Sequence, residues 1–208
     1  MSRALTPKNL YEKQFETYEF EGIFKEIFGT ISKGGIWILY GKDKNGKSWA
    51  SLIISNMMRK LVKVLYISAE EGTDLAFIKA MKRAKIPAKA NNLTVIEYEP
   101  IEELYKRLKK QRAPRFVVID NTTVYGSELK KQDMINLTRT FPKVTFLIVA
   151  HEERNKPYTA SAVMAHKLAK IIMRVKGFSV FVSGRCPGGH ILIDQEKAML
   201  FHGTEITA

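Results

Sequence analysis

The sequence predicts an α/β fold with a mainly parallel central sheet, helices on both of its faces and an antiparallel C-terminal edge. Over most of the 208 residues, short apolar runs alternate with segments of helical periodicity, as expected of a parallel sheet covered by helices. Near the C-terminus, short strand-like runs follow one another directly, and residues 187–189 (Pro-Gly-Gly) suit a hairpin turn.

Strands are predicted where short runs are apolar and rich in β-branched or aromatic residues. These runs are 35–40, 62–69, 93–98, 115–120, 144–150, 171–175, 178–183, 190–194 and 198–202.

Helices are predicted where apolar residues recur at a spacing of three or four. These segments are 20–31, 49–61, 73–84, 100–111 and 127–140. Residues 1–20 show little periodicity, and we expect them to form a polar arm or flap on a single domain that spans residues 1–208. Residues 152–161 are polar and predicted to be a loop.

Composition excludes some classes of protein and suggests a partner. The only cysteine is Cys186, which rules out an internal disulfide and a cysteine metal cluster. Residues 1–15 contain no apolar signal segment, and no apolar run approaches the roughly 18 residues that span a bilayer, so we expect a cytoplasmic protein without membrane contact. The formal net charge is +13, which favours nucleic acid as a partner. Alternatively, the charge only solvates the surface and helps to hold a nucleotide.

A complete G-x-x-x-x-G-K-[ST] motif follows the strand at 35–40 and precedes a helical segment. In this context the glycines let the backbone N–H groups surround a polyphosphate, the lysine reaches the β- and γ-phosphates, and the hydroxyl ligates Mg²⁺. Fewer than about 0.01 accidental matches are expected in a chain of this length. The sequence therefore predicts a nucleotide site formed by Gly41, Lys42, Asp43, Lys44, Asn45, Gly46, Lys47 and Ser48, with ATP and Mg²⁺ as its ligands.

Acidic residues at strand ends complete the predicted site. Asp120 ends an apolar strand downstream of the loop, where a carboxylate holds the Mg²⁺ shell. Its neighbour is Asn121 rather than an acid, so the catalytic base must lie elsewhere. Glu70 is the candidate, because it follows the preceding apolar strand and could orient the attacking water. Strand alternation would turn Glu71 away from the phosphate; both glutamates could instead be surface acids.

These motifs resemble those of the RecA-like ATPases, especially DnaB-type replicative helicases and RadA/KaiC-type proteins. The resemblance covers residues 24–203, most of the chain. It rests on the segments GKDKNGKS, VLYISAEEG, RFVVIDN, FLIVAHEERN, KLAKIIMRV and VSGRCPGGHILI.

The resemblance assigns roles to individual residues. It implies that Glu70 is the catalytic glutamate, that Asp120 is the Mg²⁺-associated acid and that His151 senses the γ-phosphate; His151 could otherwise be a strand-end histidine without a role. Arg185 lies where DnaB-type proteins carry an arginine finger, which acts in the site of a neighbouring subunit. A homo-oligomeric ring or filament is therefore implied.

Three departures from the family pattern concern the oligomer and helicase activity. Ser183 replaces the lysine that DnaB-type proteins place two residues before the finger. Lys170 replaces an aspartate that the family often has before the apolar strand that begins here at Ile171. We also find no counterpart of the N-terminal interaction domain of replicative helicases. The first departure weakens the assignment of Arg185, and the last argues against autonomous helicase activity.

The resemblance also suggests where single-stranded DNA would bind. In RecA-like rings the loops after the acid strand and the sensor strand line a central channel, and here these are residues 122–127 and 152–161. Arg154, Lys156 and Tyr158 could contact a DNA backbone and stack on a base, although Glu152 and Glu153 oppose this.

We therefore interpret the chain as a RecA-like ATPase, a helicase- or recombinase-type motor that couples ATP hydrolysis to action on DNA in replication, recombination or a mobile element. The alternative is a nucleotide-dependent regulatory or assembly ATPase that acts on a protein partner. A small-molecule kinase is disfavoured by the absence of an arginine-rich lid segment. A non-catalytic basic protein would leave the acids unexplained.

Overall fold

The computed structural model describes residues 4–126 and 128–203, which form an α/β fold around one large β-sheet. The strands are β1 (Thr17–Tyr18), β2 (Ile31–Ser32), β3 (Gly35–Gly41), β4 (Val64–Ser68), β5 (Leu93–Ile96), β6 (Phe116–Asp120), β7 (Thr145–Glu153), β8 (Lys156–Pro157), β9 (Ala169–Lys176), β10 (Ser179–Gly184) and β11 (Gly189–Leu192). The helices are α1 (Pro7–Tyr11), α2 (Gly22–Phe28), α3 (Lys47–Met58), α4 (Leu75–Arg83), α5 (Ile101–Leu108), α6 (Lys131–Thr140), α7 (Ala160–Leu168) and α8 (Gln195–His202).

The main sheet confirms the predicted fold class. Its strand order is β11-β10-β9-β3-β7-β6-β4-β5, and the six strands from β9 to β5 run parallel. The strands β10 and β11 add an antiparallel edge through hairpin pairing. The short strand β8 pairs with the end of β7, and β1 pairs separately with β2.

Helices cover the sheet on both faces because its strands are apolar on both sides. One face packs against α2, α3 and α4, with Phe28, Leu52 and Phe77 almost completely buried. The other face packs against α5, α6 and α7, where Leu104 and Met134 are fully buried. Each of the six parallel strands is followed by a connection that starts at the same end of the sheet, and that end carries the predicted site.

Several parts of the chain differ from the sequence-based expectation. Residues 198–202, predicted as a strand, belong to α8, because the Asp194 side chain caps this helix by accepting a hydrogen bond from the Lys197 N–H at 3.2 Å. The helix α7 was not predicted, and Thr159 caps it in the same way. The helix predicted over 127–140 begins at Lys131, and Ser127 lies outside the described residues.

The N-terminal segment is not simply a polar arm. Tyr18 and Phe20 are buried and pack in the core beside Trp37 and Phe28. The Tyr18 hydroxyl also lies 2.8 Å from the Thr145 hydroxyl. Aromatic contacts of this kind outweigh a polar local composition, so Tyr18 and Phe20 belong to the folded core.

Among residues 4–126 and 128–203, every helix is too short or too polar to cross a bilayer.

Candidate nucleotide-binding site

The carboxyl ends of four adjacent parallel strands bring the predicted site residues together. Gly41 at the end of β3 is in register with His151 on β7, and Ser68 at the end of β4 is in register with Asp120 on β6. Open parallel sheets bind ligands at this edge. The loop that follows β3 therefore faces the ends of the strands that carry the acid and the histidine.

The phosphate loop joins β3 to α3 in a conformation that requires glycine. Gly46 caps α3 with a φ of 95°, in the left-handed region where a side chain would be strained. Asn45 fixes the loop from outside, because its Oδ1 accepts a hydrogen bond from the Gly177 N–H in the β9–β10 turn at 3.0 Å. The N-terminus of the 12-residue helix α3 consequently faces the cleft with its positive end.

Lys47 is buried and held inside the loop. Its ammonium group donates to the Lys42 carbonyl oxygen and to Asp43 Oδ1, both at 3.1 Å. The hydrogen bond from Lys47 lowers the pKa of Asp43. The lysine therefore lies where a phosphate ligand of this motif is expected, although it is already paired with a carboxylate of its own loop.

Asp120 is almost completely buried at the base of the cleft. Burial raises the pKa of Asp120 to about 7, opposed by a hydrogen bond that the Tyr66 hydroxyl donates to its carboxylate. The Ser51 hydroxyl lies 2.7 Å from the Tyr66 hydroxyl and 2.8 Å from the Ser48 carbonyl oxygen, and its single proton serves one of these two acceptors. Through Tyr66 and Ser51, polar contacts extend from the acid to the first turn of α3.

Glu70 and His151 lie in contact, and Asn121 contacts both of them. Glu70 Oε1 lies 3.2 Å from His151 Nε2. Asn121 is fully buried. Its amide nitrogen donates a hydrogen bond to the other Glu70 carboxylate oxygen, and the same nitrogen lies 2.7 Å from His151 Nε2. The other ring nitrogen of His151 contacts Asp43. Sequence reasoning treated Asn121 only as a missing acid, whereas here it holds Glu70 and His151 together.

The expectation that Glu71 points away from the site is wrong. The strand β4 ends at Ser68, so Glu70 and Glu71 lie in a turn, where strand alternation does not apply. The Ser48 hydroxyl donates to Glu71 Oε1 at 3.1 Å. Both glutamates therefore line the cleft, Glu71 beside Ser48 and Glu70 beside His151.

The oxygen atoms at the base of the cleft fit a magnesium ion. Ser48 supplies a hydroxyl group, and Glu71 and Asp120 supply carboxylates, which are the hard ligands that Mg²⁺ prefers. A nearby cation would also offset the cost of ionising the buried Asp120. In the described ranges, no three histidine, cysteine or acidic side chains converge to hold a metal.

The cleft also contains side chains that sequence reasoning did not identify. It measures about 590 Å³ and extends from the phosphate loop to Trp49, Arg83, Phe178 and Lys197. The Arg83 and Lys197 side chains lie over the Trp49 ring, each 5.7 Å from its centre. Trp49 directly follows the motif and could have been noted, whereas no sequence signal connects Phe178 or Lys197 to the site.

Arg185 lies away from the cleft of its own chain. It follows β10, and its backbone N–H donates to the Lys170 carbonyl oxygen at 2.7 Å, at the edge where β9 begins. The phosphate loop lies near the other end of β9, so that about 15 Å of strand separates it from Arg185. Within one chain, the arginine and the phosphate loop do not meet.

Comparisons of sequence identify two relatives among characterised proteins. The chain is 28% identical over 148 residues to the DNA repair protein RadA of Aquifex aeolicus, which covers 70% of this chain and 32% of RadA. It is 30% identical over 89 residues to the DNA repair and recombination protein RadB of Methanobrevibacter smithii, covering 42% of this chain and 38% of RadB. The matches thus span only about a third of each relative. No protein-family model matches the sequence.

Comparisons of structure identify the same type of fold. The flagellar accessory protein FlaH from Methanocaldococcus jannaschii superposes with a TM-score of 0.60 at 18% identity, over 85% of this chain and 91% of FlaH. A KaiC-like protein from Pyrococcus horikoshii superposes with a TM-score of 0.57 at 15% identity, over 86% and 92% of the two chains. With the phosphate loop and the strand order, these matches show a RecA-like fold, and the similarity to RadA and RadB supports the resemblance to the RecA-like P-loop ATPases.

Proposed function

We propose that this protein binds ATP together with Mg²⁺, hydrolyses the ATP and couples hydrolysis to action on DNA. The observation that carries the proposal is that Lys47, Ser48, Glu70 and Asp120, which come from three separate segments, line one cleft. A RecA-like ATPase needs a phosphate ligand, a magnesium ligand and a water-activating carboxylate in this arrangement.

Each residue of the site has a role in this proposal. Lys47 and the loop amides bind the β- and γ-phosphates, and Ser48 and Asp120 hold Mg²⁺, with Glu71 beside them. Magnesium supplies charge neutralisation at the phosphates. Glu70 orients the attacking water and takes up its proton. Asn121 holds Glu70 next to His151, which contacts the γ-phosphate.

Oligomerisation is part of the same proposal. Arg185 is too far from the cleft of its own chain to act there, so a neighbouring copy would have to supply it. In a ring or filament, each arginine would stabilise the transition-state charge in the adjacent site.

The DNA-binding part of the proposal depends on the hairpin between β7 and β8. Arg154, Lys156 and Tyr158 are exposed there, and 93% of the Arg154 side chain is accessible. These groups could contact the backbone and a base of single-stranded DNA. The relatives RadA and RadB are named as DNA repair proteins, which also supports action on DNA.

The second candidate is a nucleotide-dependent regulatory or assembly ATPase that acts on a protein partner. It is favoured by the charge of the same hairpin, since residues 152–161 contain two acids and two bases. Glu152 is buried in a two-point ion pair with Arg174, at 2.8 Å for each contact. A hairpin without net positive charge offers a nucleic acid little electrostatic attraction.

Phosphate release from ATP tests the proposal. We expect the wild type to hydrolyse ATP, Lys47→Ala to lose both binding and turnover, and Glu70→Gln to lose turnover while it retains ATP binding. Glu102→Gln, which removes an exposed carboxylate on α5, is the matched control and should behave as wild type. Normal turnover in Glu70→Gln would refute the catalytic assignment. If single-stranded DNA stimulates ATP hydrolysis, the DNA motor is favoured. If it does not, the regulatory ATPase is favoured.

A further inference from the structure

The connections at the two ends of the parallel strands β4, β5 and β6 carry opposite charges. Here, an edge of the sheet means one of these two ends of the strands. Three connections lead from a helix into β4, β5 or β6, namely residues 59–63, 84–92 and 109–115. They contain nine lysines and arginines and no acid. The connections that leave the same strands at the nucleotide edge are 69–74, 97–100 and 121–130, which contain six acids and one lysine.

The three basic connections come together at the edge opposite the nucleotide cleft. The Arg115 N–H donates to the Lys63 carbonyl oxygen at 2.9 Å, and the Lys63 ammonium group donates to the Arg112 carbonyl oxygen at 3.3 Å. The Val64 N–H donates to the Asn92 carbonyl oxygen at 2.8 Å, which attaches the remaining connection. We call the exposed cations of this surface the basic edge: Lys60, Lys63, Lys85, Lys89, Lys109, Lys110, Arg112 and Arg115.

Within the part of the chain that the structure describes, these cations have no acidic partner. Over residues 4–126 and 128–203, none of the ion pairs involves a residue of the basic edge. The carboxylates of Glu19 and Glu21 line a groove beside Lys60 and bound the surface on that side. Because the three connections belong to adjacent strands about 5 Å apart, several charges lie within one screening length.

We propose that the basic edge binds the phosphate backbone of double-stranded nucleic acid without reading its sequence. Clustered lysines and arginines gain affinity by releasing counterions from a duplex. The three connections contain no Phe, Tyr or Trp, so they lack the stacking surfaces that single-strand binders use. Leu61 is their one large exposed apolar side chain, at 37% accessibility, whereas binding to a membrane surface calls for several apolar side chains beside the cations.

This surface is separate from the nucleotide site and does not depend on ATP hydrolysis. A duplex bound at the basic edge would leave the cleft open, because the cleft is at the other end of the strands. The acidic connections around the cleft would repel a second duplex there. Part of the positive charge of the sequence is therefore placed where it can act on one polyanion.

The test measures binding of a 30-base-pair duplex of arbitrary sequence by fluorescence anisotropy over a series of salt concentrations. The test variant combines Lys60→Gln, Lys89→Gln, Lys109→Gln and Lys110→Gln. We expect it to bind about tenfold or more weakly than wild type at 50 mM salt, with a plot of log K against log salt that is shallower by ~0.9 for each lost phosphate contact. A second variant with arginine at the same four positions keeps the charge and should bind as wild type.

The matched control combines Lys8→Gln, Lys13→Gln, Lys25→Gln and Lys167→Gln, four exposed lysines outside the basic edge. It loses the same total charge and should keep the wild-type salt slope. Equal weakening by both glutamine variants would overturn the proposal, because the effect would then be one of net charge. Unchanged duplex binding by the test variant would overturn it as well. So would the absence of duplex binding in wild type together with basic-edge-dependent binding to phosphatidylserine vesicles, which would make the surface a membrane site.

Circular dichroism confirms that each variant is folded, and ATP binding provides an independent readout. Duplex binding that persists in Lys47→Ala would keep this proposal even if the proposed ATPase activity failed. Loss of duplex binding in that variant would contradict the separation of the two surfaces.

Discussion

Asp43 and Lys47 form an ion pair inside the phosphate loop, with 3.1 Å between Asp43 Oδ1 and Lys47 Nζ. The same carboxylate contacts His151. Asp43 therefore engages two of the groups that we propose to contact the γ-phosphate, and its negative charge lies beside them. A triphosphate and this carboxylate would compete for the same lysine.

We predict that Asp43→Asn binds ATP about 2- to 10-fold more tightly than wild type, because it removes an anion that repels the phosphates. The effect is modest because the Asp43 side chain is 71% exposed and its charge is screened by solvent. Isothermal titration calorimetry with Mg²⁺ present measures it. Glu12→Gln removes an exposed acid far from the loop in sequence and is the control. Weaker binding by Asp43→Asn would mean that the carboxylate supports the loop rather than competing with phosphate.

Glu71 and Glu70 should have separable effects, because one contacts Ser48 and the other contacts His151. We predict that Glu71→Gln raises the Mg²⁺ concentration required for half-maximal ATP binding by about threefold or more, through loss of a carboxylate beside the metal. Glu70→Gln should leave this requirement unchanged. Magnesium titrations at fixed ATP compare the two variants. If both need the same Mg²⁺ concentration for half-maximal ATP binding, Glu71 is not a ligand of the metal site.

Arg185 should act only between copies of the chain. We predict that Arg185→Ala keeps ATP affinity but lowers turnover by roughly 10³-fold or more, as expected for an arginine finger. Mixing it with Glu70→Gln should partly restore the rate, because some interfaces then combine an intact glutamate with an intact arginine. Arg139→Ala removes an exposed arginine on α6 and should have no effect. Failure of rescue, together with a monomeric mass in light scattering, would contradict a shared site.

Tyr18 should make stability depend on pH in the alkaline range. Burial raises the pKa of Tyr18 to about 12 from its ordinary value of 10. Above pH 10 the unfolded chain releases this proton while the folded chain retains it, so stability falls as the pH rises from 10 towards 12. By pH 11 the share due to Tyr18 amounts to about 1 kcal/mol, and Tyr18→Phe should reduce the alkaline loss by that share, leaving the part that other buried tyrosines such as Tyr66 and Tyr125 contribute.

Urea unfolding at pH 8 and pH 11 measures the effect of Tyr18. The control is Tyr11→Phe, since Tyr11 is 88% exposed and should retain the full alkaline loss of the wild type. At pH 8, Tyr18→Phe should cost about 1 kcal/mol, because Thr145 loses a hydrogen-bond partner. An alkaline loss that is equal in Tyr18→Phe and wild type would show that Tyr18 is not protected from solvent.

The sequence predicted best those elements that depend on local chemistry. The strands that carry the site were recognisable because each is a short apolar run, and Gly46 was recognisable because the motif requires its conformation. The prediction for Glu71 failed because the end of β4 at Ser68 could not be located to within one residue. The strand predicted at 198–202 failed because the cap from Asp194 outweighs the apolar character of that run.

By itself, the sequence determined the phosphate loop, the class of fold and the identity of the residues that follow the strands. Local patterns report which backbone conformation a segment adopts and which face it buries, and they need no knowledge of distant partners. Only the tertiary structure decided that Asn121 joins Glu70 to His151, that Phe178 reaches the cleft and that three basic connections share one edge. Those relationships depend on strand order and register, which are set by packing between segments far apart in the chain.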